Sequence, residues 1–171
     1  MEVESRDTII DKVAQYLHWL TIPKQEFGNM PVCPFLDKEM RDDMLYIDIW
    51  YPHDNSFMDI MESFLLSGKN SALVVCPNTH TIDYSEVSRK DIQKQITDLL
   101  RKNPHTEYLK CMIFSPYEDF EVAGIKTRSG APYFLINVAP TKQLGKSHKD
   151  LMKTKYFQNF TDEEKKRLNV K

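Results

Sequence analysis

Cys33 lies in the segment Asn29-Met-Pro-Val-Cys-Pro-Phe-Leu36, where flanking prolines hold a thiol in a rigid stretch outside regular structure. A held thiol is a candidate nucleophile. It needs a lowered pKa to be a good one, from a helix N-terminus or a cation, and the sequence shows neither beside it. Placed between Val32 and Phe35, it reads more simply as a small buried apolar residue. A second thiol stands in Cys76-Pro-Asn-Thr-His80, after an apolar run, where a loop imidazole, His80, could deprotonate Cys76 or polarise a substrate. Cys76 also reads as a core residue. No paired spacing joins these thiols to Cys111, His53 or His105, so no metal site is expected.

The densest polar stretch is Ser115-Pro-Tyr-Glu-Asp-Phe-Glu121, continued by Val-Ala-Gly-Ile-Lys-Thr-Arg-Ser-Gly130, and it is the preferred site. Glu118 and Asp119 could serve as acid and base or hold a cation, with Tyr117 assisting. Lys126 and Arg128, with turn amides near Gly130, could hold a carboxylate or phosphate. A solvated hairpin accounts for the same charges. Asp48, among strand residues that look buried on both faces, must find a partner, and a structural ion pair would satisfy it.

Three short segments, Cys33-Pro-Phe35, Phe114-Ser-Pro-Tyr to Ala123-Gly124, and Arg128-Ser to Pro132-Tyr133, carry a likeness. In order and rough spacing the chain resembles an uncharacterised bacterial domain family, a domain of unknown function, with Cys-Pro-Phe-Ala, Phe-His-Pro-x-Tyr-x-Phe-Ala-Gly and Arg-Ser-Pro-Tyr-Pro segments. Ser115 stands where that family has histidine, and the stretch between Pro116 and Gly124 is slightly longer, so any acid-base role of the histidine is lost. The resemblance implies that Cys33, Pro34, Phe35, Pro116, Tyr117, Phe120, Gly124, Arg128 and Pro132 gather around one site. It implies no activity.

The elements that must position these groups follow from periodicity. Ile9, Val13, Tyr16, Leu17 and Leu20 predict a helix over 8–20, followed by a long proline-bearing connection from Thr21 to Asp43. Alternation from Leu45 to Tyr51 predicts a strand, ended by Pro52. Phe57, Ile60, Met61, Phe64 and Leu65 predict a helix capped by Asp54 or Asn55 and stopped at Gly68. Ser71 to Cys76 reads as a central strand buried on both faces. A helix carrying Ile92, Ile96, Leu99 and Leu100 follows, capped through Asp83 with Glu86 or Ser88 with Asp91. Leu109–Phe114, Glu121–Ile125 and Tyr133–Val138 read as three strands, Lys142–Tyr156 as a helix, and Thr161-Asp-Glu-Glu164 opens a last one.

The order α-β-α-β-α-β-β-β-α-α fits an α+β fold: a single mixed sheet of about four or five strands covered by helices. The 171 residues, 41% hydrophobic and 28% charged, suit one domain over 1–171, with 157–171 also readable as a C-terminal helical appendage. No apolar run reaches the length of a membrane span and the acidic start is unlike a secretory signal, so a cytoplasmic address with reduced cysteines is expected. The net charge of −2 conceals 13 acids against 5 bases in residues 1–64, and 9 bases against 4 acids in 141–171.

Three functions fit these features. The first is a small enzyme acting on an anionic metabolite, with Arg128, Lys126, Gly124 and Gly130 binding it and Cys33, Asp119, Tyr117 and His80 supplying chemistry, without a cofactor. The second is a non-catalytic adaptor, dimeric or bound to a partner protein, with Tyr117, Phe120, Phe157 and Phe160 as anchors. The third is nucleic-acid binding through Lys142, Lys146, Lys149, Lys153 and Lys155. Because these lysines fall on one polar helix face and the chain is slightly acidic, the sequence weighs against it. No Walker loop, G-x-G-x-x-G, G-x-S-x-G or H-E-x-x-H occurs.

Overall fold

A computed structural model describes residues 4–51, 56–77, 88–118, 121–122, 125–126 and 131–170, with the backbone alone for 121–122 and 125–126. The first helix, α1 (Arg6–Thr21), starts where Ser5 accepts the amide of Thr8 and stops at Ile22, before Pro23. Its buried side, Ile9, Val13, Tyr16, Leu17 and Leu20, is the stripe that the spacing predicts.

The connection from Thr21 to Asp43 holds more order than the sequence suggests. Two-residue strands β1 (Pro23–Lys24) and β2 (Met30–Pro31) pair antiparallel around a short 3-10 turn, and a helix, α2 (Pro34–Arg41), follows. Pro34 takes the first helical position, where a missing N–H costs nothing. The ion pairs Arg41 to Asp37 and Lys38 to Asp42 then run along its exposed side. Gly28 closes the hairpin turn at φ 65°, and a Cβ there would come within 2.0 Å of the Lys155 carbonyl oxygen. Only glycine lets the hairpin lie against the C-terminal segment.

Next come β3 (Leu45–Ile49), α3 (Phe57–Ser67), β4 (Ser71–Cys76), α4 (Arg89–Lys102) and β5 (Leu109–Phe114). Ser56, rather than Asp54 or Asn55, caps α3, and Gly68 ends it at φ 71°. Ser88 caps α4 by accepting the Asp91 amide. The predicted strand Glu121–Ile125 is divided into β6 (Glu121–Val122) and β7 (Ile125–Lys126), which pair with each other in a separate two-stranded sheet. Then β8 (Phe134–Pro140) leads into α5 (Thr141–Met152), and α6 (Asp162–Arg167) opens with the capping box of Thr161 and Glu164. The helix expected to reach Tyr156 therefore ends at Met152.

The main sheet is mixed, in the order β3-β4-β8-β5, with β3 parallel to β4 and β8 antiparallel to both its neighbours. Every residue of β4 is buried, as a central strand covered on both sides must be. On one face Ala72, Val74, Cys76, Cys111, Ile113, Phe134 and Ile136 pack under α3 and α4. On the other, Ile49, Leu73, Val75, Phe114 and Leu135 pack under α1, Leu36 of α2, and an aromatic group of Phe27, Tyr156, Phe157 and Phe160. These rings meet at centroid distances of 4.9 to 5.9 Å. The Tyr156 hydroxyl donates to the Val32 carbonyl at 2.7 Å, which ties the C-terminal segment to the residue before Cys33. Phe157 and Phe160, read as surface anchors, are core residues instead, because each fills the space around Phe27 and Tyr156. Among the described residues, no helix is long and apolar enough to cross a membrane.

Candidate ligand-binding cavity

Of the residues expected to do chemistry, His80, Asp119, Gly124, Arg128 and Gly130 lie outside the described residues, as does the side chain of Lys126. Tyr117 is 46% exposed and sets its ring 5.8 Å from that of Phe134, on the sheet face away from α1. Glu118 is not free for catalysis: its carboxylate accepts the Arg89 amide at 3.0 Å and Arg89 Nε at 3.3 Å, a second cap on α4. Asp48 meets Arg6 at 3.4 Å, the Tyr46 hydroxyl at 3.3 Å and the Ile49 amide at 2.8 Å, a structural set of partners. Cys76 is buried in the core under α3. All three cysteines are free thiols. Among the described residues, no three His, Cys, Asp or Glu side chains converge as metal ligands would.

Cys33 immediately precedes α2, a helix the sequence reading did not anticipate, and so does stand at a helix N-terminus. Burial nevertheless pushes its thiol up, and the Leu36 and Phe35 amides, which favour the thiolate, offset this only in part. At neutral pH the sulfur is a protonated, apolar wall atom.

That wall bounds a cavity of about 60 Å³ between the sheet and three helices. Leu17 and Leu20 of α1 and Phe35 and Leu36 of α2 enclose one side. Leu73, Leu135 and Phe114 form the floor, where the alternation of β4, β5 and β8 turns those side chains toward α1. The same alternation places Asn137 and Ser71 on this face, among the hydrocarbon. Gln143, Leu144 and Ser147 of α5 cover the remaining side, yet no residue of α5 is fully buried.

The unexpected member is Glu39, which lines the cavity at only 7% exposure. Its carboxylate accepts Gln143 Nε2 at 3.0 Å and Ser71 Oγ at 3.4 Å. Among the described residues no cation makes a contact ion pair with it: its helix neighbours Lys38 and Arg41 are paired with Asp42 and Asp37, although Lys38 still feels its charge. Taking a carboxylate out of water costs several kcal/mol unless strong partners replace the water. Glu39 also sits in the last turn of α2, where the helix dipole disfavours a negative charge by roughly 0.3–1 kcal/mol. Two neutral donors return part of that cost.

A wider surface hollow of about 750 Å³ lies between α3 and the turn before β5. Its acids, Asp59 and Glu62, are exposed, so nothing there holds charge out of water. Comparison of the chain with protein-family models, curated proteins and solved structures finds no match.

Proposed function

We propose that this protein binds a small molecule in the cavity between α1, α2, α5 and the sheet. The observation that carries this reading is Glu39: a carboxylate withdrawn from water, without a contact ion pair, on the wall of an otherwise apolar hollow. Pockets for small ligands combine an apolar lining with a few placed polar groups in this way. Leu17, Leu20, Leu73 and Leu135 supply the apolar part, and Glu39, Gln143, Ser71 and Asn137 the polar part.

Size limits the guest. The cavity is small, about 60 Å³, so the portion of a ligand that lies inside it is a short aliphatic arm. Longer ligands would displace α5, the cover with no buried residue. The thiol of Cys33, held toward its neutral form by burial, contributes surface to the cavity. A ligand carrying its own carboxylate or phosphate would place like charges together at Glu39, so the anion-binding role expected of Lys126 and Arg128 does not extend to this cavity.

A titration of methyl-labelled protein with 1-propanol, followed by NMR, tests the reading. The expected result is saturable shifts of the Leu17, Leu20, Leu73 and Leu135 methyl groups. Shifts that grow without saturation, or that fall only on exposed groups such as Leu66, would count against a ligand site here.

A further inference from the structure

We infer that the polar end of the ligand is a protonated amine, held by Glu39 at the cavity wall. This rests on the cavity being a ligand site, and it names the chemical class that site selects.

Charge and hydrogen-bond capacity select the amine. An ionised carboxylate offers about four lone-pair positions, and Glu39 uses two, one for Gln143 and one for Ser71. Both protein donors are neutral. Glu39 therefore keeps acceptor capacity to spare, and neither of its donors brings a positive charge. Asn137 gives one N–H to the Ala72 carbonyl at 3.2 Å and Gln143 one to Glu39, so each keeps its oxygen and a second N–H, and the spare acceptors that select the ligand are those of Glu39. An alkylammonium brings three donors and the missing positive charge on one atom. A hydroxyl brings a single donor and no charge. A carboxylate or phosphate brings only acceptors and a second negative charge. Among simple polar groups the alkylammonium thus matches on both counts, and hydrogen bonds between ionised partners are about twice as strong as neutral ones.

The apolar side of the site fixes the rest of the ligand. On neighbouring strands Leu73 pairs with Asn137 and Val75 with Leu135, so hydrocarbon and polar groups lie side by side along the sheet. The fitting ligand class is accordingly a short aliphatic primary amine, or a larger amine presenting such an arm.

The test uses three probes of matched size, n-propylamine, 1-propanol and propionate, titrated at neutral pH against the full chain with the Leu73 and Leu135 methyl shifts as readout. The expected order is propylamine at least about tenfold tighter than 1-propanol, with propionate weakest. Glu39→Gln should abolish the preference, so that propylamine binds the variant no tighter than 1-propanol does. Gln143→Lys places a fixed ammonium beside Glu39 and should give the same loss, which keeps the test decisive if Glu39→Gln folds poorly. Equal or tighter binding of 1-propanol or propionate to the unmodified chain would overturn the amine assignment and leave the cavity as a ligand site. So would a preference for propylamine that survives both substitutions. Absence of saturable shifts with every probe would overturn the amine assignment and the ligand site together.

Discussion

Glu39 is where stability and function separate. If the carboxylate is kept for a ligand, its neutral isostere should cost the fold nothing. Gln at 39 can still accept from Gln143 through its one oxygen and donate its N–H to the Ser71 hydroxyl, while the carboxylate at the end of α2 is removed. Glu39→Gln is therefore expected to match or exceed the parent in urea denaturation, by up to about 1 kcal/mol. A loss of more than about 2 kcal/mol would mean that the acid is a structural partner. The sequence pointed to Cys33, which does line the cavity, and passed over Glu39, six residues on. Two reasons explain this. The prolines around Cys33 suggested a connection without helix, and in a connection an acid is assumed to be wet. Had Pro34 been read as a helix start, Leu36 and Glu39 would have fallen on one face, three residues apart. Asp48 and Glu118 illustrate the opposite case: both drew notice as acids, and both are occupied by arginines.

Elements with clear periodicity and caps were legible. The stripe of α1, the Ser88 cap and the Thr161 capping box are local features, and each is found where the spacing put it. The hairpin of β1 and β2 was not legible, since it depends on the close approach of Gly28 to Lys155, a contact across the chain. Nor was the weak seating of α5. Its sequence is amphipathic, but its inward side consists of Gln143, Leu144, Ser147 and Leu151, too little hydrocarbon to bury any of them fully. By contrast α1, α3 and α4 each bury at least three apolar side chains. Hydrogen exchange should consequently find the α5 amides the least protected of these four helices. Adding n-propylamine should slow their exchange, because Gln143 and Ser147 bound the cavity. Protection of α5 equal to that of α1, unchanged by the amine, would remove α5 as the cover through which ligand enters.

At the level of the whole molecule, the α+β class and the mixed sheet followed from the alternation of β3, the fully apolar β4 and the later strands. Strand order did not, because β8 inserts between β4 and β5 through pairings far apart in sequence. Burial of the layers has a consequence for pH. Burial pushes the Cys33 and Cys111 thiols up, takes the Tyr16 phenol to about 12, and raises Tyr133 and Tyr156 further still. Each group is favoured neutral in the folded state, so its contribution is intact below the unfolded values of about 8.5 for thiols and 10 for phenols. It falls as pH rises beyond them, through the higher folded values. The urea midpoint should thus decline from pH 8 to pH 9.5 and more steeply toward pH 11. A midpoint unchanged across that range would show that these groups ionise freely in the folded protein.

The central claim is that a guest enters between α5 and the sheet and lies against hydrocarbon with its head at Glu39. Intermolecular nuclear Overhauser effects between the terminal methyl of n-propylamine and the protein methyl groups test it most directly. Cross-peaks to Leu73 and Leu135 are expected, and they should weaken in Glu39→Gln at the same sub-saturating amine concentration. Cross-peaks confined to Leu66, which is 82% exposed on α3, would contradict it.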